Sequence, residues 1–274
     1  MIIKEKIFVH QEEVYNTGSA EIIVPILSSL FKTSSVLDIG CGLGTWLKIF
    51  QESGVKDVLG IESAYMDMEK LVISKNKVII HDLQKPLNLK RKFDLVVCLE
   101  VAEHLPESAA DIFIRSITSH GNIILFSSAI PNQGGQNHIN EQWPGYWQKK
   151  FKALGYVYYD MIRPYIWENE KVDLWYKQNI FLVIHESMNF DHPKYLGNDP
   201  IHPKYWNYRI NNLEEEIKKC KNEIDHLNDS LWWLEEHLNH WRNGNMGIRI
   251  YLFQLGKAIL NKIRKTLFFS WVLL

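Results

Sequence analysis

Cysteine is scarce. Cys41, Cys98 and Cys220 are the only three in 274 residues, odd in number and widely separated. With no CxxC pair, neither a disulfide framework nor a cysteine zinc site is expected, and a reducing cytoplasm suits the chain. No apolar run is long enough to span a bilayer. The opening stretch, MIIKEKIFVHQEE, carries too many charges for a signal peptide. Charge of one sign is also missing: 31 Lys and Arg against 32 Asp and Glu leave a formal −1. A broad basic surface for nucleic acid is therefore not expected. What the chain does have is apolar residues, 46% of the total, enough for one sizeable core plus extra elements.

Up to about residue 190, short Val-, Ile- and Leu-rich runs alternate with helical stretches. SVLDIG, DVLGIE, KVIIHD, FDLVVCLE and NIILFSS each end in a polar residue or glycine. Continuous apolar strands joined by crossovers imply a parallel sheet buried on both faces. YVYYDMI and QNIFLVIHE add two last strands, expected as an antiparallel pair. The first strand runs into Asp38-Ile39-Gly40-Cys41-Gly42-Leu43-Gly44, a tight turn whose glycines let a ligand approach the backbone. A dinucleotide cradle needs G-x-G-x-x-G/A. Here Thr45 stands at the last position and Asp38 precedes the loop, where a carboxylate would oppose a pyrophosphate. The same carboxylate suits a cationic, amino-acid-like ligand.

S-adenosylmethionine (SAM) is such a ligand. The D-x-G-x-G-x-G loop resembles the first motif of the class I SAM-dependent methyltransferases, as do the order and spacing of the segments that follow, over roughly residues 15–185. The resemblance implies a Rossmann-like, doubly wound α/β fold with a mostly parallel seven-stranded sheet. It places Asp38, Gly40, Gly42 and Gly44 at the cofactor, with Glu62 on the ribose hydroxyls, Asp82 and Leu83 beside the adenine, and Glu100 after the fourth strand. An N-terminal lid holding His10 and Tyr15 would also fit the family. The segments further resemble a methyltransferase subgroup associated with surface-polysaccharide genes.

Chemistry is expected beyond the ends of the fourth and fifth strands. Glu100, Glu103 and His104 follow the fourth; His138 and Glu141 follow the fifth. Methyl transfer to a hydroxyl benefits from a general base or from a metal that lowers the hydroxyl pKa. Candidate catalytic residues are His138, Glu100 and Glu141. A candidate Mg or Mn set is Glu100, Glu103, His104 and His138, since carboxylate and imidazole together suit a divalent ion. E-x-x-E-H with a later His resembles the small-RNA 3′-end 2′-O-methyltransferases and the ubiquinone-pathway O-methyltransferases. The pattern leaves open metal binding, a metal-free base and a structural role. Amides in NQGGQNHINEQWPGYW, with Trp143, Tyr146, Trp147, Trp167, Trp175 and Tyr176, suit a sugar as well as a core.

Residues 191–208 contain three prolines and no periodicity, and are read as a linker. Ile210, Leu213, Ile217, Cys220, Ile224, Leu227, Leu231, Leu234, Leu238 and Trp241 then alternate in steps of three and four. This heptad run over 209–243 predicts a coiled coil and a homo-oligomer. Residues 248–274 form a basic amphipathic pattern with no acid after Glu236. Such a helix suits either the inner face of a membrane or a protein surface. The expected activity is SAM-dependent O-methylation of a glycan or lipid-linked saccharide. Two alternatives stand beside it: a metal-assisted RNA 3′-end or small-molecule O-methyltransferase, and a non-enzymatic coiled-coil scaffold on a degenerate methyltransferase fold.

Overall fold

The computed structural model describes residues 16–64, 66–195 and 201–243, and further on residues 247, 250, 252–254 and 256–258. His10, Tyr15 and most of the 248–274 helix expected from the sequence lie outside the described residues. Two compact units divide the chain, the first ending at Arg209 and the second beginning at Ile210.

The first unit is built on seven strands: β1 (Ser35–Ile39), β2 (Asp57–Glu62), β3 (Val78–Ile80), β4 (Leu95–Leu99), β5 (Ile123–Ser127), β6 (Tyr156–Tyr159) and β7 (Phe181–His185). Their spatial order is β3-β2-β1-β4-β5-β7-β6. The first five pair in parallel, while β7 runs antiparallel to both β5 and β6. All residues of β4 and β5 are buried, as expected where helices cover both faces of a parallel sheet. Residues alternate between those faces: Val36, Val58, Val97 and Leu125 enter one core, and Leu37, Ile61, Val96 and Ile124 the other.

Helices α1 (Gly18–Leu30) and α2 (Thr45–Glu52) cover the first face. In α1 the buried residues Ala20, Ile23, Val24 and Leu27 recur at helical spacing. Helices α3 (Ala110–Thr118) and α4 (Pro144–Lys152) cover the second, with Phe113, Ile117, Trp147 and Phe151 inward. Two short helices, α5 (Arg163–Ile166) and α6 (Leu174–Asn179), lead into β7. Order reverses between β1 and β4, since β1 leads outward to β2 while β4 lies on its other side. In an open parallel sheet, ligands bind beyond the strand ends at such a reversal.

Helix α7 runs from Pro203 to Arg242. It starts inside the stretch read as a linker, because proline at the first helical position has the right φ and needs no N–H partner. Tyr195, His202 and Tyr205 of that stretch are buried. In the second unit, Leu213, Ile217, Ile224, Leu227, Leu231 and Leu238 on α7 are exposed, as is Cys220. No helix among the described residues is long and apolar enough to cross a membrane.

Candidate active site

The glycine loop leaves β1 with Gly40, Gly42 and Gly44 all at positive φ. At Gly40 the requirement is double: a Cβ there would lie 2.3 Å from Val101, in the segment after β4. The loop and the β4 end thus meet at the reversal because only a glycine lets them. Glu62, at the end of β2, accepts hydrogen bonds from the loop amide of Gly42 (2.8 Å) and from Ser63 N (2.6 Å). Asp38 is buried. Burial, and then the charge of Glu62, raise its pKa to about 8. A buried carboxylate this reluctant to ionise suits a ligand that brings positive charge. Asp82 is different: it is exposed, and Gln84 N and Lys85 hold its pKa low. Leu83 packs in the core.

Glu100 follows β4 with φ 53°, an uncommon conformation for a residue with a side chain. Its amide donates to Ser127 O and Oγ, both at 3.1 Å. Its carboxylate accepts from Gln133 Nε2 (2.8 Å) and Asn179 Nδ2 (3.1 Å), and Asn179 Nδ2 also reaches Gln133 Oε1 (2.8 Å). Burial raises the Glu100 pKa, and hydrogen bonds from Ser127, Asn179 and Gln133 oppose the rise. Gln133 and Asn179 carried no motif; the sheet order alone brings them together.

Glu103 and His104 follow in a single 3₁₀ turn, Ala102–His104. The backbone carbonyl of Glu103 accepts from Ile139 N (2.9 Å) and Asn140 N (3.0 Å), which staples the His138 loop against this turn. His104 and His138 meet edge to face, with ring centroids 4.9 Å apart. Burial, and then His138, lower the His104 pKa to about 4, so its ring is neutral. Ligand atoms of Glu103, His104 and His138 lie within 4.8 Å of one another. Glu103 is fully buried; Ser128 Oγ donates to its Oε2 (3.2 Å), while its Oε1 has no hydrogen-bond partner. Glu100, expected as a fourth ligand, is not in this cluster, since its oxygens are committed to the two amides.

His138 Nδ1 lies 2.9 Å from Glu141 Oε1. Backbone amides of Asn132 (2.7 Å) and Gly134 (2.8 Å) donate to the same carboxylate. Gly135, at φ 147°, is the neighbour that makes room: a Cβ there would lie 2.4 Å from His138 Nε2. The imidazole is therefore oriented from one side by an anchored carboxylate.

The aromatic segment divides. Trp147 is buried against Phe126, and Tyr176 packs on Trp46 at 5.3 Å, just after the glycine loop. The Trp147 ring goes to the interior, the usual fate of a large ring, and Tyr176 is partly buried. Trp143 remains 40% exposed.

A doubly wound seven-stranded sheet with a glycine loop at its reversal is a Rossmann-like fold. Residues 12–158 match the methyltransferase-domain family. The chain belongs to this family, the class I SAM-dependent methyltransferases, and its cofactor is SAM. No curated protein matches the chain significantly. Among solved structures it is similar to DesVI of Streptomyces venezuelae (15% identity, TM-score 0.49, covering 65% of this chain and 99% of that one). It is also similar to a SAM-dependent methyltransferase of Clostridium acetobutylicum (15%, 0.47, 62% and 92%). A third is CalS10 of Micromonospora echinaspora, an amino pentose methyltransferase (14%, 0.45, 66% and 99%).

Proposed function

We propose that the protein O-methylates a hydroxyl of a glycan or lipid-linked saccharide, with His138 as general base. The observation that carries this reading is the His138–Glu141 pair, anchored by two backbone amides. SAM supplies a methyl group made electrophilic by its sulfonium. Asp38 and the glycine loop hold the positive methionine end, and Glu62, fixed by the loop it bonds to, faces the ribose. Asp82 and Leu83 serve the adenine side. Glu141 holds the Nδ1 proton of His138, so Nε2 takes the proton of the acceptor hydroxyl as the oxygen–methyl bond forms. Glu100 is held towards the same space by its two amides. Exposed Trp143 and the amides of the 132–142 loop support a saccharide, which stacks its C–H face on a ring and bonds its hydroxyls to amides.

A second reading has its own observation. Glu103 Oε1 is buried without a partner beside two imidazoles. These three residues fit a divalent ion, which would lower the pKa of a bound hydroxyl. This is the chemistry of a metal-assisted RNA 3′-end or small-molecule O-methyltransferase.

The exposed heptad face of α7 supports a homo-oligomer through that helix. Membrane contact would fall to residues 248–274 and is tested by deleting them and following the protein between membrane and soluble fractions.

The test is methyl transfer from labelled SAM to saccharide, lipid-linked saccharide and RNA pools, with and without EDTA. Transfer to saccharide that resists EDTA is expected, and His138→Ala is expected to lower turnover about 100-fold or more with S-adenosylhomocysteine (SAH) affinity retained. Full activity in that variant removes His138 as the base. EDTA-sensitive transfer to RNA establishes the second reading. No SAH binding at all leaves the scaffold.

A further inference from the structure

The start of α7 is docked, not free. His202 is 1% exposed. Its backbone amide donates to Gln178 Oε1 (2.7 Å), and Lys204 N donates to its Nδ1 (3.2 Å). Nε2 must then carry the proton, which it donates to Trp167 O (2.8 Å), and the His202 ring lies 4.2 Å from the Trp167 ring. Gln178 adjoins Asn179, the residue that holds Glu100. One turn further along α7, Arg209 lies against Gly134, whose amide holds Glu141: a Cβ on Gly134 would be 3.6 Å from the guanidinium. The start of α7 is thus tied through His202 to the segment that holds Asn179, and its second turn brings Arg209 near the loop that carries Glu141.

Tyr205, between His202 and Arg209 in sequence, is 5% exposed. Its hydroxyl is buried and has no hydrogen-bond partner. Burial raises its pKa; Arg209 acts against that, while the negative charges of Glu141 and Glu100 add to it. Asn179 Oδ1 is a second buried polar atom beside Glu100 without a partner. An unsatisfied buried polar atom is costly, and two such atoms ask for a common explanation.

We propose that the first turn of α7 is a wall of the acceptor site, and that Tyr205 Oη and Asn179 Oδ1 bind the hydroxyl-bearing acceptor. A phenol both donates and accepts, whereas an amide oxygen only accepts. Together they take two neighbouring hydroxyls of a polyol, one presenting an oxygen lone pair to the phenol and one donating to the amide. The assignment deepens the hydroxyl-transfer reading above and rests on it.

The test uses full-length Tyr205→Phe, with Tyr208→Phe, exposed and on the same turn, as the control. Each is assayed for methyl transfer from labelled SAM to saccharide, RNA and peptide pools, and for SAH affinity. On whichever pool the wild type methylates, Tyr205→Phe is expected to raise the acceptor KM about tenfold while kcat and SAH Kd stay within about twofold. Tyr208→Phe should match wild type. If the methylated pool is RNA and the KM still rises, the saccharide reading fails and this one stands; methylation of the peptide pool alone overturns both. An unchanged KM overturns it. So does parallel loss of SAH binding and transfer, which would make Tyr205 a packing residue. If the wild type binds SAH but methylates no pool, both readings fall together.

Discussion

Cofactor binding should release a proton, and Asp38 should be its source. Its carboxyl is buried next to Glu62 and has a pKa of about 8, against an ordinary value of 3.8. The sign follows from the acid's chemistry. Without ligand, the proton stays on below about pH 8, and the cationic end of SAM or SAH favours the ionised form. Binding therefore gains strength as pH rises, until Asp38 is ionised without help. Between about pH 5.5 and 7.5, the ionised fraction of a group with pKa about 8 grows roughly 75-fold, or about 2.6 kcal/mol. Staying below about pH 7.5 also keeps the ligand's own α-amino group largely protonated. Calorimetric titration with SAH, repeated in two buffers of different ionisation heat, measures both the affinity and the protons released. The expected slope is close to one decade per pH unit, with close to one proton released. In Asp38→Asn the affinity should drop and the slope should vanish. A flat profile in the wild-type protein, or the same slope surviving in Asp38→Asn, would refute the assignment of the proton to Asp38.

Three further outcomes are expected. Asn179→Leu removes one of the donors that offset burial at Glu100, so the acidic limb of kcat/KM should move to higher pH; an unmoved limb would mean that Glu100 ionisation does not govern turnover. Cys220 occupies a core position of the heptad and is exposed, whereas Cys41 and Cys98 are buried. In a parallel, in-register dimer, two copies of Cys220 face each other, so mild oxidation should yield a covalent dimer that Cys220→Ser abolishes. Ile224→Glu should leave a monomer with unchanged SAH affinity, and a wild-type protein that sediments as a monomer at tens of micromolar would remove the coiled coil.

Much of the cofactor half was legible along the chain because its signals are local. A strand ending in Asp38 and three alternating glycines fixes its own turn, and a strand ending in Glu62 places an acid at the same sheet edge. The apolar runs of β4 and β5 announced their burial by lacking any polar alternation. The second half of the site was less legible. His138 and Glu141 are three residues apart, so their pairing was open to view, but the amides of Asn132 and Gly134 that anchor Glu141 carry no side-chain signature. The partition of E-x-x-E-H was also hidden. Glu103 and His104 join His138, while Glu100 turns to Gln133 and Asn179, because the backbone takes a positive φ at Glu100 and a single 3₁₀ turn after it.

The one-dimensional pattern determined the α/β class, the succession of strands along the chain, the glycine loop and the heptads, since each depends on residues close in sequence and on periods of two or of about three and a half. Tertiary structure alone decided which aromatics were interior, as with Trp147, and where α7 begins. Three prolines between 191 and 208 look like a linker when read in line. Folding sets His202 against Gln178 and Trp167 and buries Tyr205 beside the site, contacts between segments far apart in sequence. Apolar burial and hydrogen-bond satisfaction between such segments are settled by strand order and helix packing, and no local pattern encodes them.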